Sequence, residues 1–113
     1  MTDVYAQREW LAMPELVEIL DLTPSRIRRL IEDKHLLAIK RSGVLSVPKD
    51  FLRAGEPLVH LRGTLFLLED AGFSTDEAME WLLTEEETLG TAPIDALISG
   101  RKTEVRRITQ ALA

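Results

Sequence analysis

The chain has 113 residues, which holds one domain or two small ones sharing a core and excludes a barrel enzyme or a full doubly wound dinucleotide fold. With 45% hydrophobic and 29% charged residues it reads as globular, and with no cysteine it has no disulfide framework, thiolate metal site or cysteine nucleophile. The formal net charge of −5, read alone, argues against a nucleic-acid binder.

Met1 to Arg8 carries an acid and no apolar h-region, so no signal peptide is expected there. Met13, Leu16, Val17 and Leu20 recur at helical spacing and predict a first helix, with Pro14 tolerated in its first turn. Thr23 then suits an N-cap and Pro24 the first position of a second helix running to about Glu32. Its inward residues are Ile27, Leu30 and Ile31. Its outward arc carries Ser25, Arg28, Arg29 and Glu32, with Arg26 on the flank. Two helices joined by a few residues make a helix-turn-helix arrangement.

After Asp33 the period changes. Leu37–Lys40 and Val44–Val47 read as short strands joined by Arg41-Ser42-Gly43, where Gly43 can take the positive φ of a tight hairpin. Pro48 closes the second strand ahead of a short helical turn, Lys49 to Arg53. Ala54-Gly55-Glu56-Pro57 is a break in composition and reads as a linker.

The remainder is helical. His60 to Ala71 places Leu61, Leu65, Phe66 and Leu68 in register, with Gly72 as its stop. Ser74 and Glu77 form a capping-box pattern before Ala78, Met79, Trp81, Leu82 and Leu83. Pro93 starts a short helix that ends before Gly100, with Ile94, Leu97 and Ile98 directed to the core. Val105, Ile108 and Leu112 mark the inward face of a last amphipathic helix. The longest apolar runs, such as Leu65–Leu68, fall far short of the roughly 20 residues of a membrane span. No membrane association and a cytoplasmic location are expected.

The net charge conceals a partition. Residues 1–23 carry one base and five acids, whereas residues 24–53 carry eight bases and three acids, net +5. Residues 56–100 carry Arg62 against ten acids, net −9, and residues 101–113 return to net +3. A basic block between acidic ones marks a localised anion-binding surface on an otherwise repulsive body. The block coincides with the second helix and the hairpin. An α-helix fits the major groove of B-DNA, where an arginine fork can bond guanine O6 and N7 together. Arg26, Arg28 and Arg29 sit on or beside the outward face, and Ser25 stands at the helix N-terminus, where phosphate is favoured. Lys40, Arg41 and Ser42 lie at the hairpin tip, and Lys34 and Lys49 are further phosphate-contact candidates.

Enzymatic chemistry finds little support. His35 and His60 have no partner spacing, and neither belongs to a metal signature; no metal site or cofactor is expected. Asp76, Glu77 and Glu80 have the spacing of a solvated helix face. Trp10 and Trp81 read as core or interface anchors rather than base-stacking residues.

Residues 13–51 resemble the MerR/excisionase type of winged helix-turn-helix. The residues that carry this are Pro14-Glu15-Leu16-Val17-Glu18-Ile19-Leu20, Thr23 to Ile31, His35 to Arg41, and Val47-Pro48-Lys49-Asp50-Phe51. The resemblance implies that Ser25, Arg26, Arg28 and Arg29 face the groove and that the hairpin is the wing. From about Trp10 to Leu112 the chain is similar to an actinobacterial family of small winged helix-turn-helix DNA-binding proteins with a helical C-terminal domain. Gly90, Pro93-Ile94-Asp95-Ala96-Leu97 and Gly100 also resemble the toxin-binding domain at the end of some antitoxins, which implies an interaction or dimerisation role.

The expected fold is mainly α: a winged helix-turn-helix with a short β-hairpin over residues 1–55, and a C-terminal helical domain over residues 56–113. The expected function is double-stranded DNA binding in transcriptional regulation, without catalysis, with a homodimer or a protein partner joined through the C-terminal domain. The competing expectation is a protein-interaction module resembling an antitoxin.

Overall fold

Trp10 and Leu11 open the fold as a short edge strand, β1 (Trp10–Leu11), ahead of the first helix. The computed structural model describes residues 3–112, so the first two residues of the segment read above for a targeting signal lie outside it. Helix α1 (Met13–Leu20) begins where expected, and the Glu15 carboxylate accepts the Ala12 N–H at 3.1 Å, satisfying one of the donors a helix start leaves open. Asp21 ends it in the left-handed region, φ 54°. Thr23 then caps α2 (Pro24–Glu32), its hydroxyl accepting the Arg26 N–H at 3.3 Å. Leu16 and Leu20 of α1 and Ile27 of α2 are buried, which fixes the pair against each other and turns the arginines of α2 outward.

Strands β2 (Ile39–Arg41) and β3 (Val44–Pro48) form the hairpin, with Arg41 paired to Val44 across a two-residue turn. Ser42 and Gly43 both have positive φ, 51° and 79°, the twist that matches a tight hairpin. Strand β1 pairs antiparallel with β3, giving a three-stranded sheet of order β1-β3-β2. The two-residue β1 is too short to show any alternation, so its sequence carries no strand signal.

A single 3-10 turn, Lys49–Phe51, follows Pro48. Ala54 to Pro57, read above as a linker, is instead the tight turn and second strand of a small hairpin. Here β4 (Leu52–Arg53) pairs with β5 (Glu56–Pro57). Ala54 and Gly55 repeat the two positive φ values, 53° and 77°, and the Leu58 N–H bonds the Phe51 carbonyl at 2.8 Å.

The C-terminal part holds α3 (Leu61–Asp70), α4 (Thr75–Leu83), α5 (Pro93–Ile98) and α6 (Lys102–Leu112). The Ser74–Glu77 capping box forms as expected, with bonds of 2.9 and 3.1 Å. Pro93, Ile94 and Leu97 are buried and Ile98 is half-buried, so the Pro93–Leu97 motif is committed to packing. Two expectations about facing are corrected. Phe66 lies outside the core, 39% exposed, under the side chains of Lys34 and Arg62. In α6 Val105 is buried and Ile108 half-buried against the core as expected, but the second fully buried residue is Thr109, while Leu112 is 42% exposed. Thr109 goes inside because its hydroxyl bonds the Val105 and Arg106 carbonyls of its own helix, at 3.2 and 2.8 Å.

A continuous core joins the two parts. Helix α4 packs on β2, and α5 packs on the 3-10 turn around fully buried Phe51. Polar ties reinforce it. Arg8 Nη1 and Nη2 donate to the two Asp95 oxygens at 2.9 and 2.7 Å, and Nη1 also reaches Asp50 at 3.1 Å. The hydrogen bonds to Asp95 raise the Arg8 pKa against the cost of its burial. Arg53 donates to the Ile98 carbonyl at 3.1 Å, and Arg62 Nε to the Asp33 carbonyl at 2.8 Å.

Asp95→Asn removes half of a bidentate ion pair from a half-buried arginine. It is expected to lower stability by about 1.5–3 kcal/mol. Thermal unfolding followed by circular dichroism reads this as one cooperative transition moved downward; two separate transitions would contradict the shared core.

Candidate nucleic-acid interface

The outward surface of α2 follows from its period. With Ile27 fully buried, positions 25, 26, 28 and 29 turn away from the core. Ser25, Arg26, Arg28 and Arg29 are all exposed. The Thr23 and Ser25 hydroxyls lie 3.3 Å apart at the helix start. They stand beside the N–H groups of the first turn, an arrangement that favours an anion. Among the described residues none of the three arginines forms an ion pair with a carboxylate.

The β2–β3 turn presents Lys40, Arg41 and Ser42. Lys40 and Ser42 are exposed, and Arg41 is half-buried for a specific reason. Its guanidinium carbon lies 4.6 Å from the Trp10 ring centroid and 6.0 Å from that of Tyr5. Those two rings meet edge to face, 5.5 Å apart at 78°, and the Trp10 Nε1–H bonds the Tyr5 carbonyl at 2.8 Å. A guanidinium held over aromatic faces keeps its in-plane N–H groups available to an outside acceptor. Desolvation, then the negative fields of Glu80, Asp76 and Asp3, raise the Tyr5 pKa, so the phenol stays neutral; Arg41 acts in the opposite direction.

The two remaining lysine candidates stand in different company. Lys34, at φ 65° just past α2, places its Nζ 3.0 Å from Glu69 of α3 and 6.0 Å from the Phe66 ring centroid. Lys49 pairs with Glu9 at 3.1 Å, with both side chains mostly in solvent. An exposed pair of that kind is worth about 0–1 kcal/mol and exchanges readily for a phosphate.

The nine candidate residues therefore divide. Ser25, Arg26, Arg28 and Arg29 share one helix surface, and Lys40, Arg41 and Ser42 share one turn. Lys34 is tied to α3, and Lys49 lies at the start of the 3-10 turn. Sequence reasoning missed Tyr5 and Trp10 as the support beneath Arg41. Their only trace was two aromatics within six residues, just ahead of the first helix.

His60 is the N-cap residue of α3, at φ 74°, and with half-buried His35 it lines a cleft beside α2. Among the described residues no group of three or more metal-ligating side chains comes together, and no helix is long and apolar enough to cross a membrane.

Comparison with known proteins agrees with this architecture over most of its length. A family model described as "DNA-binding protein Rv2175c, wHTH domain" matches residues 1–52, and one described as "Rv2175c C-terminal domain of unknown function" matches residues 58–113. The curated relative "DNA-binding protein Rv2175c" of Mycobacterium tuberculosis is 30% identical over 114 residues, covering 89% of this chain and 78% of the relative. The solved "NMR structure of Rv2175c" superposes with a TM-score of 0.86 at 28% identity, over 94% of this chain and 82% of that one. The similarity to an actinobacterial winged-helix family read from the residues is borne out: this chain belongs to the Rv2175c family, carrying both its winged helix-turn-helix and its C-terminal domain.

Proposed function

We propose that this chain binds double-stranded DNA without catalysis or cofactor, as a cytoplasmic transcriptional regulator. In this reading α2 enters the major groove and Arg26, Arg28 and Arg29 read base edges. Ser25 and the helix N-terminus hold a phosphate, and Lys40, Arg41 and Ser42 of the wing grip the backbone. The observation that carries it is the exposed arginine row of α2, which forms no ion pair among the described residues; the wing adds an arginine already oriented on Trp10. The relative's name, "DNA-binding protein", supports the same reading.

Residues 1–55 form the DNA-binding unit in this proposal, and residues 56–113 back it and supply the surface for self-association. A dimer suits the function because two half-sites spaced by a helical turn are read by two copies of one helix.

The body's charge sharpens the binding. The net −9 of residues 56–100 repels DNA away from the α2 face, so docking is oriented and steeply dependent on salt. Five cations near phosphate or base, namely Arg26, Arg28, Arg29, Lys40 and Arg41, give an expected slope of log K against log salt of about −4 to −5 on a duplex no longer than the groove site. Fluorescence anisotropy on duplex DNA measures it. Arg28→Ala/Arg29→Ala is expected to weaken binding at least about tenfold, at roughly 1–3 kcal/mol per base-reading arginine. No duplex binding by the wild type at low salt, or equal binding by the double variant, would defeat the proposal.

The wing makes a separate prediction. In a Trp81→Phe background, where Trp10 is the sole tryptophan, Arg41→Ala is expected to shift the Trp10 emission. It should also flatten the salt slope by about one unit and leave the far-ultraviolet circular dichroism unchanged.

A further inference from the structure

The acidic part of the chain ends in a basic helix. Residues 56–100 carry one base and ten acids, whereas residues 101–113 carry four bases and one acid. Helix α6 buries Val105 and Thr109 and packs on α3, and its bases leave that contact in different directions. Arg101 is used internally: its guanidinium forks onto Glu104 at 2.7 and 3.0 Å and donates to the Leu89 carbonyl at 3.1 Å. Lys102 and Arg106, four residues apart, share a helix face. Arg107 lies about 100° further round, where its field acts on Glu104.

Helix α6 packs on α3, whose N-cap residue is His60, and the fields of Lys102 and Arg106 act on that imidazole. Desolvation, then the fields of these two cations, lower the His60 pKa below its ordinary value. His60 is exposed and lines a surface cleft together with Arg62, His35, Leu22 and Leu30; Glu56 is a carboxylate on its wall. Leu22 and Leu30 also border Arg26 and Arg29 of α2. Arg62 spans the junction, its Nε on the carbonyl of Asp33 at the end of α2 and its guanidinium carbon 4.7 Å from the Phe66 ring centroid. Among the described residues its Nη groups donate to no protein acceptor. Arg26 and Arg29 of α2 and Arg62 of α3 thus border adjoining parts of one shallow cleft, and the first two turns of α6, the helix packed on α3, carry Lys102 and Arg106.

We propose that Arg62, Lys102 and Arg106, with His60 between them, form a second phosphate-contacting strip through which the C-terminal part holds the DNA backbone beside the groove that α2 enters. The inference rests on the duplex-binding reading above and extends it to the domain whose role the family description leaves unknown. Such contacts carry no base readout, so they lengthen the footprint and add affinity uniformly across sequences. Two adjacent arginines, Arg106 toward the strip and Arg107 away from it, provide a charge-matched comparison.

The test uses the full chain with Arg106→Ala, Arg107→Ala and Lys102→Ala/Arg106→Ala, titrated against a duplex with long flanks over a range of salt. Arg106→Ala should bind about three- to tenfold more weakly and lose about one unit of salt slope, and the double variant about two units. Arg107→Ala should stay within about twofold of wild type. The loss should be the same on unrelated sequences, and should vanish when the duplex is trimmed to the groove site. Equal effects of Arg106→Ala and Arg107→Ala would reduce the result to net charge and overturn the strip. Wild-type affinity in Lys102→Ala/Arg106→Ala, with binding still abolished by Arg28→Ala/Arg29→Ala, would overturn the strip alone. A wild type that binds no duplex would overturn both readings.

Discussion

Arg8 joins three segments that are remote in sequence. Its guanidinium lies between Asp50, 42 residues on, and Asp95, 87 residues on, with its side chain only 15% exposed. A charge in that setting is tolerable only while its partners are present. The constraint behind it is size. A winged helix of about fifty residues buries too little apolar surface to be firmly stable alone. The chain meets this by placing α5 against the Phe51 turn and α4 against β2. The Arg8 fork then sets the position of α5 against the N-terminal part. The α4–β2 contact holds the hairpin, and packing on α1 holds α2.

The basic residues divide between internal and external work. Arg8, Arg53 and Arg101 bond carboxylates or carbonyls of the protein itself, Lys34 pairs with Glu69, and Arg62 does both kinds of work, its Nε on the Asp33 carbonyl and its Nη groups without a protein acceptor among the described residues. Arg26, Arg28, Arg29 and Lys40 point into solvent. Net charge therefore says little about what the chain presents to an anion; the spatial sorting of its cations says more. Acids concentrated in residues 56–100 are compatible with a cationic surface because the Debye length at physiological salt is only about 8 Å.

Arg41 shows how a surface side chain is made ready for contact. A free arginine loses roughly 2 kcal/mol of rotamer entropy when it is immobilised. The Tyr5–Trp10 pair restricts it beforehand, and strand pairing of Trp10 with Pro48 fixes that pair relative to the hairpin. The two positive-φ residues of the turn set the twist that brings Arg41 over the rings.

Much of the fold was legible in the sequence. The periods of α1 and α2, the Thr23 and Ser74 caps, the Pro93 start and the Gly43 turn all come from backbone sterics and hydrogen bonds within a few residues, which a local reading captures. So was the candidate groove surface, because burial of Ile27 alone decides where Arg28 and Arg29 point. Other features were beyond it. The strand formed by Trp10 and Leu11 exists only because β3 is there to pair with it. Ala54–Pro57 is a hairpin rather than a linker because its flanks pair with each other. The inward face of α6 takes Thr109 beside Val105 and Ile108, and leaves Leu112 out, because α3 lies against it, and a threonine that bonds its own helix carries no hydrophobic signal. By itself, then, the sequence determined the winged helix-turn-helix, its helical partner and the concentration of positive charge on the second helix and wing. Only the tertiary structure decided which cations are spent inside the protein and which face outward, because ion pairs and stacking join residues tens of positions apart, where local periodicity has no reach.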